Sequence, residues 1–164
     1  MLALRREPPD GAPSRALWEE YMALIAARLG DEFEPTEAIF ASEGAFDGPG
    51  TAWLVGYEDG RAVCCGGLRP LGDGACELKR MFVTEAARGR GHGRRLLAEL
   101  EAMAAAGGCR RARLLTTSVL LEARALYQDA GYRVVEALHD DETGRTDFWL
   151  EKALPVGDGR GGPA

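Results

Sequence analysis

Cys76-Glu77-Leu78-Lys79-Arg80-Met81-Phe82-Val83, then Arg88-Gly89-Arg90-Gly91-His92-Gly93, then Arg94-Arg95-Leu96-Leu97 onward to Gly107: this stretch decides the fold. Its first part is an apolar, strand-like run. Its last part places Leu96, Leu97, Leu100, Met103 and Ala104 at the i, i+3, i+4 spacing of a core-facing helix. Between them lies a turn of alternating glycine and arginine. A helix N-terminus carries a partial positive charge and unpaired N–H groups, so acidic residues normally collect there. Here the entrance carries Arg88, Arg90, Arg94 and Arg95, with no acid between Glu85 and Glu99. Each cation in that turn costs a few tenths to about 1 kcal/mol. The arrangement suits a bound anion that takes N–H bonds from the glycine backbone and charge from the arginines. A solvated basic turn beside an ordinary helix start is the simpler alternative.

The spacing narrows the anion. No Gly-Lys-Ser/Thr follows, which excludes the nucleoside-triphosphate loop, and glycines at 89, 91 and 93 miss the Gly-x-Gly-x-x-Gly dinucleotide pattern. Arg88-Gly89-Arg90-Gly91-His92-Gly93 instead resembles the acetyl-CoA signature of the GNAT superfamily of N-acetyltransferases, Gln/Arg-x-x-Gly-x-Gly/Ala. Leu78 to Val83 is similar to that family's cofactor-facing strand. Ala123-Arg124-Ala125-Leu126-Tyr127-Gln128-Asp129-Ala130-Gly131-Tyr132 is similar to its Ala-x-x-Leu-Tyr-x-x-x-Gly-Phe/Tyr segment. The three matches fall in family order over residues 76–135.

The resemblance implies an acetyl-CoA-dependent N-acetyltransferase, with acetyl-CoA as the acyl-donor cosubstrate and no metal. It implies that the Met81, Phe82 and Val83 backbone pairs with the pantetheine arm and the acetyl carbonyl. It implies that Arg88, Gly89, Arg90, Gly91, His92, Gly93 and Arg94 wrap the pyrophosphate, His92 being a turn residue rather than a base. Tyr127 matches the position that protonates the leaving thiolate; a tyrosine merely packed on its helix is the alternative. Glu77 stands where some members carry a glutamate that accepts the amine's proton through water, or else it pairs with Lys79 or an arginine. Many members have an asparagine where this chain has Leu120, so the cofactor leans harder on the arginine turn. No Ser or Cys occupies a recognisable nucleophile motif, which favours direct attack of a primary amine, of a small molecule or peptide, in a ternary complex.

Composition sets outer bounds. A chain of 164 residues with 46% hydrophobic residues is long enough for one buried core. The reading is one domain over 1–154 and a disordered Gly/Pro-rich tail over 155–164. No apolar run reaches the length of a membrane span, and the N-terminus lacks a signal peptide's apolar block. Cys64, Cys65, Cys76 and Cys109 lack metal-site spacing and read as free thiols in a reducing, cytoplasmic setting. The net charge of −6 is unevenly spread: Lys79 to Arg113 holds nine basic and three acidic residues, leaving 11 basic and 23 acidic elsewhere. An acidic remainder argues against nucleic acid as partner and suits an anionic cofactor together with a cationic acceptor.

Outward from the central stretch, residues 2–6 read as an edge strand and Ser14 as the N-cap of a helix with stripe Leu17, Tyr21, Leu24, Ile25, Leu29, ending at Gly30. The acid-rich segment from Asp31 to Asp47 reads as a short helix near 35–42 and a loop. Its acids either solvate a helix face or rim the acceptor site. Ala52–Tyr57 and Ala62–Leu68, joined through Asp59-Gly60, read as a hairpin. Arg111–Thr116 follows the glycine-turn helix as a strand made parallel by the crossover. A helix over 120–130 capped by Gly131, a strand from Val134 and a last strand over 147–150 complete the chain. The expected class is α+β: a mixed, mostly antiparallel central sheet flanked by helices on both faces, with edge strands that leave room for a homodimer. Two other function classes stand beside the enzyme: a non-catalytic CoA- or acyl-CoA-binding sensor, and an RNA- or protein-binding module using the arginine turn.

Overall fold

A computed structural model of the chain describes residues 1–30, 46 and 48–155. The expected helix near 35–42, and the tail beyond Pro155, lie outside the described residues.

Seven strands form one sheet: β1 (Ala3–Arg6), β2 (Ala52–Glu58), β3 (Arg61–Gly72), β4 (Ala75–Val83), β5 (Arg111–Thr117), β6 (Arg133–His139) and β7 (Thr146–Ala153). Their order across the sheet is β1-β2-β3-β4-β5-β7-β6. Only β4–β5 is a parallel pair; every other neighbour is antiparallel. The described helices are α1 (Ala12–Leu29), α2 (His92–Ala106) and α3 (Leu121–Asp129). The expected class is therefore the observed one.

Local chemistry sets the boundaries. Asp59 and Gly60 both take positive φ, 51° and 78°, the twist that lets β2 and β3 close through a two-residue turn. Gly131, at φ 95°, stops α3. The start of α1 differs from expectation: the helix opens at Ala12 behind Gly11, and Ser14 already lies inside the first turn. Its hydroxyl is diverted to tertiary work, donating to Pro8 O at 2.8 Å and accepting from Trp53 Nε1 at 2.9 Å. Pro13, pre-set for a first turn, starts the helix instead.

Period-2 alternation divides the sheet into two buried faces. Trp53, Val55, Cys65 and Phe82 face α1 through Leu17. Leu54, Cys64, Cys76, Leu78, Ala112, Leu114 and Leu150 face Leu96, Leu97 and Leu100 of α2 and Tyr127 of α3. At the middle of β3, Gly66 lets α2 settle close: a Cβ there would lie 3.1 Å from Leu100 Cδ1. Cys64, Cys65, Cys76 and Cys109 are all free thiols.

Two irregularities in β4 create the site. Its pairing with β5 covers only Ala75–Glu77 against Arg111–Arg113, after which the two strands separate. Its pairing with β3 jumps from Lys79↔Gly67 to Phe82↔Cys65, so Arg80 and Met81 together oppose Gly66. Arg80 takes φ 56° at this bulge.

Candidate active site

The glycine turn runs from a short 3-10 turn, Glu85–Ala87, into α2. Gly91 is the residue before the helix, with φ 80° and no side chain capping the N–H groups that follow; no acid stands in the first turn. Gly89 is also left-handed, at φ 75°, and a Cβ at either glycine would meet only open space. The N-terminal N–H groups of α2 thus open onto a concave surface rather than onto a protein acceptor.

That surface lines a cavity of about 450 Å³. Met81, Phe82 and Val83 of β4 form one wall, and Arg88, Gly89, Gly91, His92, Gly93 and Arg94 form the floor. Tyr21 and Leu24 of α1, with Leu120, Glu122, Ala123, Leu126 and Tyr127 around α3, close the rest. Nine of the ten residues singled out for the cofactor are brought together here. Arg90 is not: its guanidinium turns outward to Glu58 (2.5 Å) and to Ala86 O (3.1 Å) and is 54% exposed. The Arg88 Nε donates to Val83 O at 3.1 Å, which fixes that side chain at the junction of wall and floor. His92 is 7% exposed, with Nε2 3.2 Å from Glu58 Oε1, so its ring buttresses the turn from behind.

Tyr127 is 7% exposed and reaches the same cavity from α3. Burial, reinforced by Tyr21 nearby, raises its hydroxyl well above the ordinary tyrosine value, so it carries its proton throughout the physiological range. Its ring meets Tyr132 edge-on at 6.1 Å.

A second cavity of about 250 Å³ lies on the α1 side of the split between β4 and β5, and Tyr21 and Leu120 line both. Glu77 lines it with Trp18, Lys79, Arg80, Thr116, Thr117 and Asp147. Glu77 is 2% exposed. Its Oε2 accepts from Arg69 Nε at 2.7 Å, and its Oε1 lies 3.7 Å from Lys79 Nζ. Glu77 thus has the ion-pair partners foreseen for it and also borders a cavity.

Some lining residues escaped the sequence reading. Glu122 pairs with Arg28 of α1 and stands 4.0 Å from Arg88; its carboxyl is held below the ordinary value, chiefly by the Arg28 hydrogen bond. Arg28 and Glu122 are 94 residues apart, and no local pattern announces such a pair. Tyr21 was legible only as part of a core stripe; the stripe residue also faces both cavities. Among the described residues no group of His, Cys, Asp and Glu is placed to hold a metal, and no helix is long and apolar enough to cross a membrane.

Comparison with known proteins agrees with this geometry. A structure of a GCN5-related N-acetyltransferase from Kribbella flavida superposes with a TM-score of 0.76 at 20% identity, over 93% of this chain and 98% of that one. An aminoglycoside 6′-N-acetyltransferase solved with coenzyme A gives a TM-score of 0.70 at 18% identity, over 95% of this chain and 99% of that one. At those identities the likeness is one of fold. In sequence, the chain is 38% identical over 92 residues to YjgM of Escherichia coli K12, an uncharacterized N-acetyltransferase; the match covers 54% of each. The chain spans about half the length of the curated relatives it matches. The model of the acetyltransferase (GNAT) family matches residues 14–132, well over half of the sequence, and the chain therefore belongs to the GNAT acetyltransferase family.

Proposed function

We propose that residues 1–154 form one catalytic domain that transfers an acetyl group from acetyl-CoA to a primary amine by direct attack in a ternary complex. The observation that carries this reading is the meeting of two features in one cavity. The uncapped, acid-free start of α2 opens onto the cavity floor, and the buried, protonated Tyr127 stands in its wall. The residues fit an acyl-CoA. The α2 N–H groups and Arg88 suit a diphosphate. Met81 to Val83, past the point where β4 loses its partner on the β5 side, offer strand backbone to an extended amide-bearing arm. Acetyl-CoA supplies the activated acyl group; the chain's own residues position and exchange protons.

Arg88 and the turn backbone anchor the donor, and the β4 wall aligns it so that the thioester faces the split between β4 and β5. The amine enters from the cavity on the α1 side. Glu77 Oε1, the oxygen not taken by Arg69, is the carboxylate oxygen able to receive the amine's proton through water. Backbone N–H groups of the β4 wall meet charge developing on the thioester oxygen. Tyr127 holds its proton at Oη and delivers it to the departing thiolate. No protein nucleophile is needed, and the buried thiols are unsuited to the role: burial pushes Cys64 up to about 11 and Cys76 up to about 12.

The test is isothermal titration with acetyl-CoA, followed by a free-thiol release assay with a panel of amines. The expected result is micromolar binding and amine-dependent thiol release. Binding with no release for any amine would favour the sensor alternative. Absence of binding would overturn the reading.

A further inference from the structure

We infer that Tyr21 and Leu120 form a stop for the transferred acyl group, which admits acetyl and turns away butyryl and longer chains; this rests on the acetyl-transfer reading above. Among the described residues, Tyr21 and Leu120 alone line both the larger and the smaller cavity. With the donor in one cavity and the amine in the other, the reacting carbonyl lies where the two meet. Carbon atoms beyond that carbonyl run towards these two side chains. A chain that passed them would take up part of the 250 Å³ that the amine needs.

A stop works only if it does not yield. The Tyr21 ring lies 5.5 Å from that of Phe82, tilted by 37°, and meets Trp18 edge-on at 5.9 Å. Leu120 is buried with Met22 and Ile25, in a cluster against which Trp18 and Tyr21 also pack. Its backbone is fixed on both sides: its N–H donates to Thr117 O at 3.0 Å, and its carbonyl accepts from Arg124 N at 3.1 Å. The two halves of the stop are also tied together. Arg28, on the same helix as Tyr21, donates from Nη1 to Val119 O at 3.2 Å and pairs with Glu122, and these two partners flank Leu120. Side chains interlocked in this way move only at a cost in packing. One methylene too many against such a wall is resisted by roughly 10- to 200-fold. The barrier is the bulk of the ring and not its hydroxyl, so phenylalanine at position 21 keeps it, whereas a smaller side chain opens the seam between the cavities.

The experiment compares acetyl-CoA, butyryl-CoA and hexanoyl-CoA as donors for the full chain and its Tyr21→Phe, Tyr21→Leu and Leu120→Ala variants. Thiol release with an amine from the panel above gives kcat/KM for each donor, and circular dichroism checks that each variant folds. Acetyl-CoA should exceed butyryl-CoA at least tenfold in the wild-type chain and in Tyr21→Phe. Tyr21→Leu and Leu120→Ala should each cut that preference at least fivefold. A ratio between donors cancels any loss common to both, so general damage to the enzyme does not imitate the result. Equal use of butyryl-CoA by the wild-type chain, or an undiminished preference in the folded variants, overturns the inference while the acyltransferase reading stands. Where one variant does not fold the other decides, and where neither folds the wild-type ratio decides. If no amine is turned over, the same donors are compared by titration. Butyryl-CoA should then bind the wild-type chain at least tenfold more weakly than acetyl-CoA, and equal binding overturns the inference. Failure of coenzyme A and every acyl-CoA to bind would instead remove the reading on which it rests.

Discussion

Glu122 stands 4.0 Å from Arg88 at the mouth of the larger cavity while it pairs with Arg28 of α1. A carboxylate beside an anion site opposes the anion. Half-exposed pairs of this kind contribute about 0.5–1 kcal/mol. Glu122→Gln should therefore tighten acetyl-CoA by roughly two- to fivefold, read by titration. Weaker binding in this variant would mean that Glu122 aligns the two arginines rather than competing with the ligand.

Arg88 and Arg90, two residues apart, should part company. Arg88→Ala should weaken acetyl-CoA at least tenfold, about 1.4 kcal/mol, since its side chain lines the cavity. Arg90→Ala should weaken it less than about threefold, because that guanidinium points to Glu58. Equal losses in the two variants would refute the assignment of Arg88 as the anchoring side chain.

Tyr127→Phe should lower kcat by about a hundredfold or more, the scale of a lost general acid, with the KM for acetyl-CoA within about threefold. Because burial raises this hydroxyl above the ordinary value of 10.0, it should add no alkaline limb to the rate below about pH 10. Unchanged turnover would demote Tyr127 to a packing residue.

Stability should fall as the pH rises above about 9. The Cys64 and Cys76 thiols, ordinarily at 9.0, are pushed by burial to about 11 and about 12. A raised folded value means that the unfolded chain loses its proton first. The contribution is therefore whole below pH 9 and is lost as pH climbs towards 11 and 12. Each group adds a slope of up to about 1.4 kcal/mol per pH unit within its window. Urea unfolding at pH 8 and pH 10.5 measures it, and Cys64→Ala should flatten the slope; an identical slope in that variant would exclude the thiol as its source.

Gly56 faces Cys64 across β2 and β3, and a Cβ at 56 would sit 2.3 Å from the Cys64 sulfur. Gly56→Ala should cost about 1–3 kcal/mol of stability through overpacking. Cys64→Ala in the same chain should restore most of it. A loss that persists in the double variant would point to Leu2 and Leu4, which also crowd the position.

Much of this was legible where residue type and local geometry are tied. Asp59-Gly60 dictates its own turn, the Leu96–Leu97–Leu100 stripe its helix, and the glycines of the turn their backbone freedom. Ser14 shows where local reasoning stops: a hydroxyl suited to capping is drawn to Trp53, a partner 39 residues away. Arg28–Glu122 was silent for the same reason, since a long-range pair leaves no periodic trace. Arg90 looked equivalent to Arg88 because spacing cannot say which way a side chain leaves a turn. The bulge at Arg80 was equally hidden, as nothing in Leu78-Lys79-Arg80-Met81 marks an inserted residue.

That bulge also has an evolutionary corollary. One surplus residue puts the halves of β4 out of phase, so the segment from Glu77 to Arg80 lines the smaller cavity and Met81 to Val83 the larger. A substitution before the bulge can reshape the smaller cavity without retouching the β4 wall of the larger one. A single-residue deletion at Arg80 would return the ladder to one-to-one pairing, leaving Phe82 opposite Cys65 in its aromatic cluster while removing the guanidinium that lies over Trp18.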